Sequence, residues 1–448
     1  MADQSIIRIT KEIGELQKSS DLSLAVAFRD RDVRNVKALI IGPHETPYEF
    51  GFFEFSVRFN KEYPRKSPTV TATTTNSGRC RFNPNIYASG KVCLSILGTW
   101  RGERGEEWSA AQGLESILLS IQSLMSSNPY ENEPGFEDAN ESHDKKNQKD
   151  YIAKIRHETL RISIIQRLED YLGIAASSSA TPAAEREDYD LDMDDDADLD
   201  DTAVPWEPFK DLCKRRFLWY YDSYLETIRK AKEEVKDGQP FARMPFEGTS
   251  NTMDGKFNYT ELEQRIRRVK AALDAESDKW AAEGASPKTR ETTIGVNLGR
   301  QFEQIKESYK RSDVPHSIEL VDGNPFVWHF TYFGRPMTNL DGGMFRVKLN
   351  FSPRFPEEQP RVKFLTSMFH HRIAADGTPC YFPNLSRRED VKQHLEAIID
   401  ALEEEQPPYD PRTLVHPEAH KMYWGTPEER KVYNRQLRRS VQRSMEDF

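Results

Sequence analysis

The chain has 448 residues, 37% hydrophobic and 11% aromatic, with a mean hydropathy of -0.75, enough for two or three folded units plus a substantial solvated fraction. Its formal charge of -10 is carried by residues 185–201, where eleven carboxylates accompany one arginine; the remainder is close to neutral, which argues against a nucleic-acid partner. No run approaches the ~20 apolar residues of a membrane-spanning helix, and the opening MADQSIIRITKEIGELQKSS lacks a basic-then-apolar leader layout, so a cytoplasmic or nuclear protein with protein partners is expected.

Ile6, Ile9, Ile13 and Leu16 recur at helical spacing and predict an amphipathic opening helix. Between Val36 and Thr75 the pattern changes to VKALIIG, then FFEFSVRF with Phe53, Phe55, Val57 and Phe59 on one face, then TVTATTT after a proline-punctuated turn. These signals predict an antiparallel meander. Helical periodicity returns in residues 111–125 through Leu114, Ile117, Leu118, Ile121 and Leu124, and again in residues 151–172, giving an α+β unit over residues 1–172. Residues 173–205 hold too few large apolar side chains to offset their ordering entropy and are expected to form an acidic disordered linker. Residues 206–290 are aromatic and helix-prone, which predicts a helical extension.

Residues 291–448 repeat the beginning. GFFEFSVRFNKEYPRKSP (51–68) aligns without gaps to GMFRVKLNFSPRFPEEQP (343–360), and Leu298, Phe302, Ile305 and Tyr309 repeat the leading helix. Each copy then reaches a cysteine: Cys93 lies 25 residues after Pro68, and Cys380 lies 20 after Pro360. With Cys80 and Cys213 they complete the set, without a CxxC pair or metal-spaced histidines, so neither disulfides, a metal nor a bound cofactor is expected. In a reducing compartment most such thiols are buried small hydrophobes, and a reactive role needs local support.

That support comes from GPHETPYEFGFFEF, YPRKSP, FNPNIYASGKVCLSILGTW and EWSAAQGLESILLSIQSL, which resemble the ubiquitin-conjugating (UBC) family across residues 1 to 135. NPYENEPGFE, IRHET, FLWYYDSYLE and FNYTELEQR are similar to its Z-type branch and extend the likeness to residue 272. The resemblance implies two UBC folds, each an antiparallel four-stranded meander with flanking helices, joined by the linker and extension. It implies that Cys93 holds ubiquitin or a ubiquitin-like modifier as a thioester. An activating enzyme, which itself uses the ATP, would supply the modifier, and the acceptor would be a lysine of a protein substrate, with or without a ligase. A cysteine of pKa about 8.5 is a few per cent thiolate at neutral pH, sufficient for such exchange.

The family signature sets a His-Pro-Asn triplet before a Gly-x-x-Cys-Leu turn; here Asn83-Pro84-Asn85 precedes Cys93, and only the histidine differs. By resemblance Asn85 supports the loop or the oxyanion formed when the amine attacks. The family's acidic or serine gate beside the thiol falls on Glu131 or Asn132 of NPYENEP, with Glu131 the candidate acid. Arg65 stands where many relatives carry an apolar residue that docks RING-type ligases. The charged stretch 101–107, between Trp100 and Trp108, is either a partner contact or a solvated turn.

The second copy resembles the same fold through FSPRFPEEQP, FHHRIAADGTPCYF, PPYDP, HPEAHKMYW and KVYNRQLRRS. His370 is kept, His371 replaces proline, Arg372 replaces asparagine, Pro379 and Tyr381 flank Cys380, and Asp410 matches the gate acid. Two readings stay open for it: a second acceptor, with Arg372 lowering a nearby pKa or stabilising an oxyanion, or a regulatory copy that binds ubiquitin, the substrate or the other domain. The rival for the whole chain is a non-catalytic ubiquitin-binding scaffold. A cysteine hydrolase would need a histidine base near Cys93, which the local signature lacks.

Overall fold

The computed structural model describes residues 4–19, 21–102, 105–174, 206–248, 253–312 and 315–446. The acidic linker expected from the sequence lies, from residue 175 to its end, outside the described residues. No helix among the described residues is long and apolar enough to cross a membrane.

Helix α1 (Gln4–Lys18) buries Ile9, Ile13 and Leu16, whereas Ile6, at the edge of the predicted stripe, stays 40% exposed. Strands β1 (Leu24–Arg29), β2 (Asp32–Ile41), β3 (Phe52–Arg58) and β4 (Thr69–Ala72) form an antiparallel meander in chain order. One face of the sheet, carrying Phe53, Phe55 and Val57, closes a core with α1 and α2 (Leu114–Leu124). The other face, carrying Leu39, Ile41 and Phe52, is also covered. The long helix there runs from α3 (Ser142–Glu158) through a π-helical stretch (Thr159–Gln166) into α4 (Arg167–Leu172), and α5 (Lys210–Glu234) lies beside it. Burial on both faces is why β3 is buried at four successive positions before it alternates.

The extension consists of α5, α6 (Tyr259–Ala285) and the short α7 (Pro287–Arg290). Asn258 starts α6 by accepting from the Glu261 N–H at 3.1 Å while its own amide reaches the Glu261 carboxylate at 2.8 Å. Between α5 and α6 the chain returns to the first core. Phe246 packs against Tyr130, Phe136 and Tyr151, and the buried Lys154 Nζ donates to Glu247 at 2.5 Å and to the Ala242 carbonyl at 3.0 Å. Helix α5 is buried along two stripes. Cys213, Phe217, Tyr220 and Tyr224 recur at helical spacing and join the core on the outer face of the first sheet; Arg216, Trp219 and Ser223 form a second buried row.

The C-terminal part repeats the architecture: α8 (Thr293–Arg311), strands β5 (Ser317–Leu320), β6 (Val327–Phe333), β7 (Met344–Asn350) and β8 (Arg361–Phe364), then α9 (Val391–Glu403), α10 (Pro417–Trp424) and α11 (Pro427–Glu446). Its sheet is again an antiparallel meander in chain order, with a separate apolar core around Trp328, Phe330, Phe345 and Leu395. Leu298, Phe302, Ile305 and Tyr309 of α8 are buried in it.

This half also buries uncharged histidines. Burial, reinforced by Arg372, holds His370 down to about 3, and burial holds His394 and His420 down to about 4; His371 is pushed down for the same reason. Their folded values lie below the ordinary 6.5, so their contribution is full above that pH and is lost as pH falls toward 4, where the unfolded chain binds protons the folded one refuses. Amide exchange, corrected for intrinsic rates, will therefore show β6 and β7 losing protection between pH 6.5 and 5 before β2 and β3 do. Equal loss in both sheets would refute this.

Candidate functional site

The sheet edge carries the cysteine turn. After β4 the chain doubles back through Gly90, whose φ of +90° and approach to the Ala72 carbonyl, where an added Cβ would lie at 2.6 Å, leave no room for a side chain. Ala72 N–H donates to the Gly90 carbonyl at 2.8 Å, which fixes the turn to the sheet. Three residues on, Cys93 N–H donates to the Asn85 carbonyl at 2.8 Å, and the Asn85 side-chain amide donates back to the Cys93 carbonyl at 3.1 Å. Thr99 braces the far side, donating to the Val92 carbonyl at 2.6 Å and accepting from Leu94 N–H at 3.0 Å.

Asn83, at the position where the family carries histidine, is fully buried and holds three segments together. Its amide donates to the Tyr48 hydroxyl at 3.0 Å and the Leu124 carbonyl at 2.8 Å, and its oxygen accepts from Asn85 N–H at 2.9 Å. Tyr48 in turn donates to the Phe82 carbonyl at 2.7 Å. The substituted residue thus fixes the backbone from which Asn85 projects.

Three residues around the thiol were not singled out from sequence. Tyr87 lies near the Cys93 thiol; burial raises its hydroxyl pKa, opposed by Arg81 and reinforced by Cys93 and Glu133. Arg81 stacks 4.4 Å from the Tyr87 ring centroid, donates to the Pro84 carbonyl at 2.5 Å, and pairs with Glu133 at 3.1 Å. Burial raises the Glu133 carboxyl, against the pull of Arg81. The expected candidate, Glu131, is exposed and accepts from Asn128 at 2.8 Å within its own turn. Asn132 donates to the Leu124 carbonyl at 2.8 Å. In the second copy Asp410 follows Tyr409 as Glu131 follows Tyr130, and precedes Pro411 as Glu133 precedes Pro134. Arg65 is exposed.

The second cysteine turn repeats the first bond for bond. Phe364 N–H donates to the Gly377 carbonyl, and Cys380 N–H to the Arg372 carbonyl, both at 2.8 Å; Gly377 has φ +91°. The side chains differ. His370 accepts from Arg372 N–H at 3.1 Å, and His371 meets the Tyr433 hydroxyl at 3.1 Å while stacking on Tyr423. Arg372 approaches the Cys380 sulfur at 3.8 Å and Glu404 at 3.4 Å. Asp410 is gripped by Arg412 through contacts of 2.8 and 3.0 Å, which hold its carboxyl low despite burial, and Arg412 continues to Asp21 of the N-terminal half at 2.5 Å. Cys380 has no exposed surface, and burial raises its thiol against the pull of Arg372 and Arg216.

Fold and site together define an α+β architecture that places a cysteine on a turn at the edge of a meander, built twice in one chain, with Cys93 5% exposed and Cys380 fully buried; no metal-ligand cluster occurs among the described residues. The family description for ubiquitin-conjugating enzymes matches residues 8–159 and again residues 300–440. A Danio rerio protein named ubiquitin-conjugating enzyme E2 Z is 47% identical over 272 residues, covering 61% of this chain and 70% of its own length. The Homo sapiens protein of that name is 46% identical over 286 residues, covering 63% and 70%. A Xenopus tropicalis relative is 48% identical over 168 residues, and there the chain spans about half of the relative, 52%. Among solved structures, a Toxoplasma gondii ubiquitin-conjugating enzyme E2 domain is 25% identical, covering 35% of this chain and 97% of that one, at a TM-score of 0.28. The chain belongs to the ubiquitin-conjugating enzyme family.

Proposed function

We propose that residues 1–172 form a working ubiquitin-conjugating domain in which Cys93 carries ubiquitin, or a ubiquitin-like modifier, as a thioester. The Cys93 thiolate attacks the thioester carbonyl on the activating enzyme; a new C–S bond forms and the activating enzyme's thiolate leaves. A substrate lysine amine then attacks the same carbonyl, an amide forms, the Cys93 thiolate departs, and the amine's proton passes to solvent or a nearby carboxylate. The observation that carries this reading is the reciprocal pair of hydrogen bonds between Cys93 and Asn85. It holds the thiol and a donor amide in fixed relation, as oxyanion stabilisation requires.

In this reading Glu133, turned toward the site by Arg81, is the better gate acid than Glu131, and Tyr87 lines the approach of the amine. The protein needs no cofactor of its own, since ATP is consumed by the activating enzyme. It works in the cytoplasm or nucleus with protein substrates, with a ligase where one is required. Residues 206–290 pack on the first domain and shape partner choice. The second domain, residues 291–448, is a regulatory or partner-binding copy, a reading favoured by the complete burial of Cys380 in a cluster with α5, where Cys93 keeps 5% exposure.

The test incubates the protein with an activating enzyme, ubiquitin and ATP, and compares reducing with non-reducing gels for wild type, Cys93→Ala, Cys380→Ala and the double variant. A reducible adduct lost in Cys93→Ala and retained in Cys380→Ala is expected. No adduct in wild type, with alternative modifiers and activating enzymes also tried, would refute the proposal.

A further inference from the structure

In a chain that builds the same cysteine turn twice, the second turn is enclosed by a helix from elsewhere in the sequence. Cys380 belongs to the apolar cluster that also holds Cys213, Phe217, Tyr220 and Tyr224 of α5 together with Leu39, Phe50 and Phe52 of the first sheet. It is not part of the C-terminal half's own core. Helix α5 touches the turn's surroundings within one turn of the helix, residues 219–222. Tyr220 donates to the Arg412 carbonyl at 2.7 Å, Asp222 accepts from Ala375 N–H at 3.2 Å, and the Trp219 ring meets Phe382 edge to face at 5.7 Å.

The neighbouring stripe of the same helix reaches the first sheet, with Tyr220 serving both sides. Tyr220 stacks on Phe50 at 3.9 Å with an interplanar angle of 4°, and Tyr224 donates to the Phe50 carbonyl at 2.9 Å. One helix is therefore packed on two folds at once. Two charged groups are drawn into the joint. Arg216, 7% exposed, lies 4.0 Å from the Trp219 ring centroid, and Asp410, at the family's gate position, is committed to Arg412 and through it to Asp21.

We propose that the cysteine face of the second fold is a helix-docking surface whose occupant is α5 of this same chain, and that Cys380 is a packing residue of that joint and not an acyl acceptor. The second fold has kept the turn and exchanged its use. The surface that in a working copy must stay open to a modifier's carboxyl end and an amine instead grips the extension and presses it onto the first sheet. The proposal does not depend on Cys93 being charged, because it concerns access to a thiol.

The experiment alkylates the full-length protein with N-ethylmaleimide under native conditions and follows each cysteine peptide by mass spectrometry. In wild type, Cys380 and Cys213 will react at least ~100-fold more slowly than Cys93, since they require opening of a packed joint. Trp219→Ala will raise the Cys380 rate by ~10-fold or more while Cys213, on the other stripe, stays protected; that contrast separates opening of the joint from general unfolding. Phe382→Ala, at a half-exposed position, supplies the same test should Trp219→Ala fail to fold. A wild-type Cys380 rate within about tenfold of Cys93 overturns the proposal, as does an unchanged Cys380 rate in both variants, or a reducible ubiquitin adduct that survives Cys93→Ala and disappears when Cys380 is also replaced.

Discussion

Replacing Asn85 with alanine will slow discharge of the Cys93 thioester to lysine by about 100- to 1000-fold, the ~2.7–4 kcal/mol that one preorganised oxyanion donor contributes. The side-chain amide has two N–H groups. One donates to the Cys93 carbonyl at 3.1 Å and holds the turn; the second remains to meet charge on the attacked carbonyl. Asn85→Asp keeps the shape and loses both donors, so it will be at least as slow. Charging by the activating enzyme relies on that partner's own groups and will change far less. Glu133→Ala will cost about 10-fold in discharge, in keeping with a group that orients or deprotonates the amine. Single-turnover discharge to free lysine, begun from protein already charged, isolates the step. Asn85→Ala discharging at the wild-type rate would remove the amide from the mechanism.

Much of this site was legible because its frame is local. The alternation of Phe53, Phe55 and Val57 and the spacing from Asn85 to Cys93 fix the sheet and the turn within one stretch of chain. Strand β1 escaped notice, since LAVAFR is mostly half-buried and lacks the aromatic alternation of β3. Which acid faces the turn was not legible, because three polar residues follow one another in a 3₁₀ turn, Pro129–Asn132, and its exit; only the folded geometry pairs Glu133 with Arg81 and leaves Glu131 with Asn128. The state of Cys380 was beyond sequence altogether. Arg216, Trp219 and Tyr220, which share its buried surroundings, belong to a segment that periodicity identifies as a helix without saying what its two buried rows face.

The second large effect concerns how that helix is held. Asp211→Ala will destabilise the packing of the extension against the C-terminal half by about 3–5 kcal/mol, the usual consequence of leaving a buried charge without its partner. Asp211 sits in the first turn of α5, where the helix dipole favours an anion. It pairs with Arg361 at 2.9 Å and Arg215 at 2.9 Å and accepts from Gln359 N–H at 3.3 Å. Burial pushes its carboxyl up, and the two guanidiniums outweigh that and hold it low. Its contribution is therefore present at neutral pH and is lost as pH falls below the ordinary carboxylate range. Arg361 is 8% exposed, lies 4.8 Å from the Trp280 ring centroid, and without the Asp211 carboxylate keeps the Gln359 carbonyl at 2.9 Å and only a distant carboxylate, Glu276 at 3.9 Å. The double variant Asp211→Ala/Arg361→Met will recover most of the loss, because a buried pair replaced by apolar side chains of similar volume is close to neutral. Denaturant titration read by amide exchange in β8 measures both, and the same samples should alkylate Cys380 faster in the single variant than in the double. A loss below about 0.5 kcal/mol in Asp211→Ala would reduce the contact to an ordinary surface pair and leave Tyr220, Trp219 and the apolar stripes as what seats α5 on the second fold.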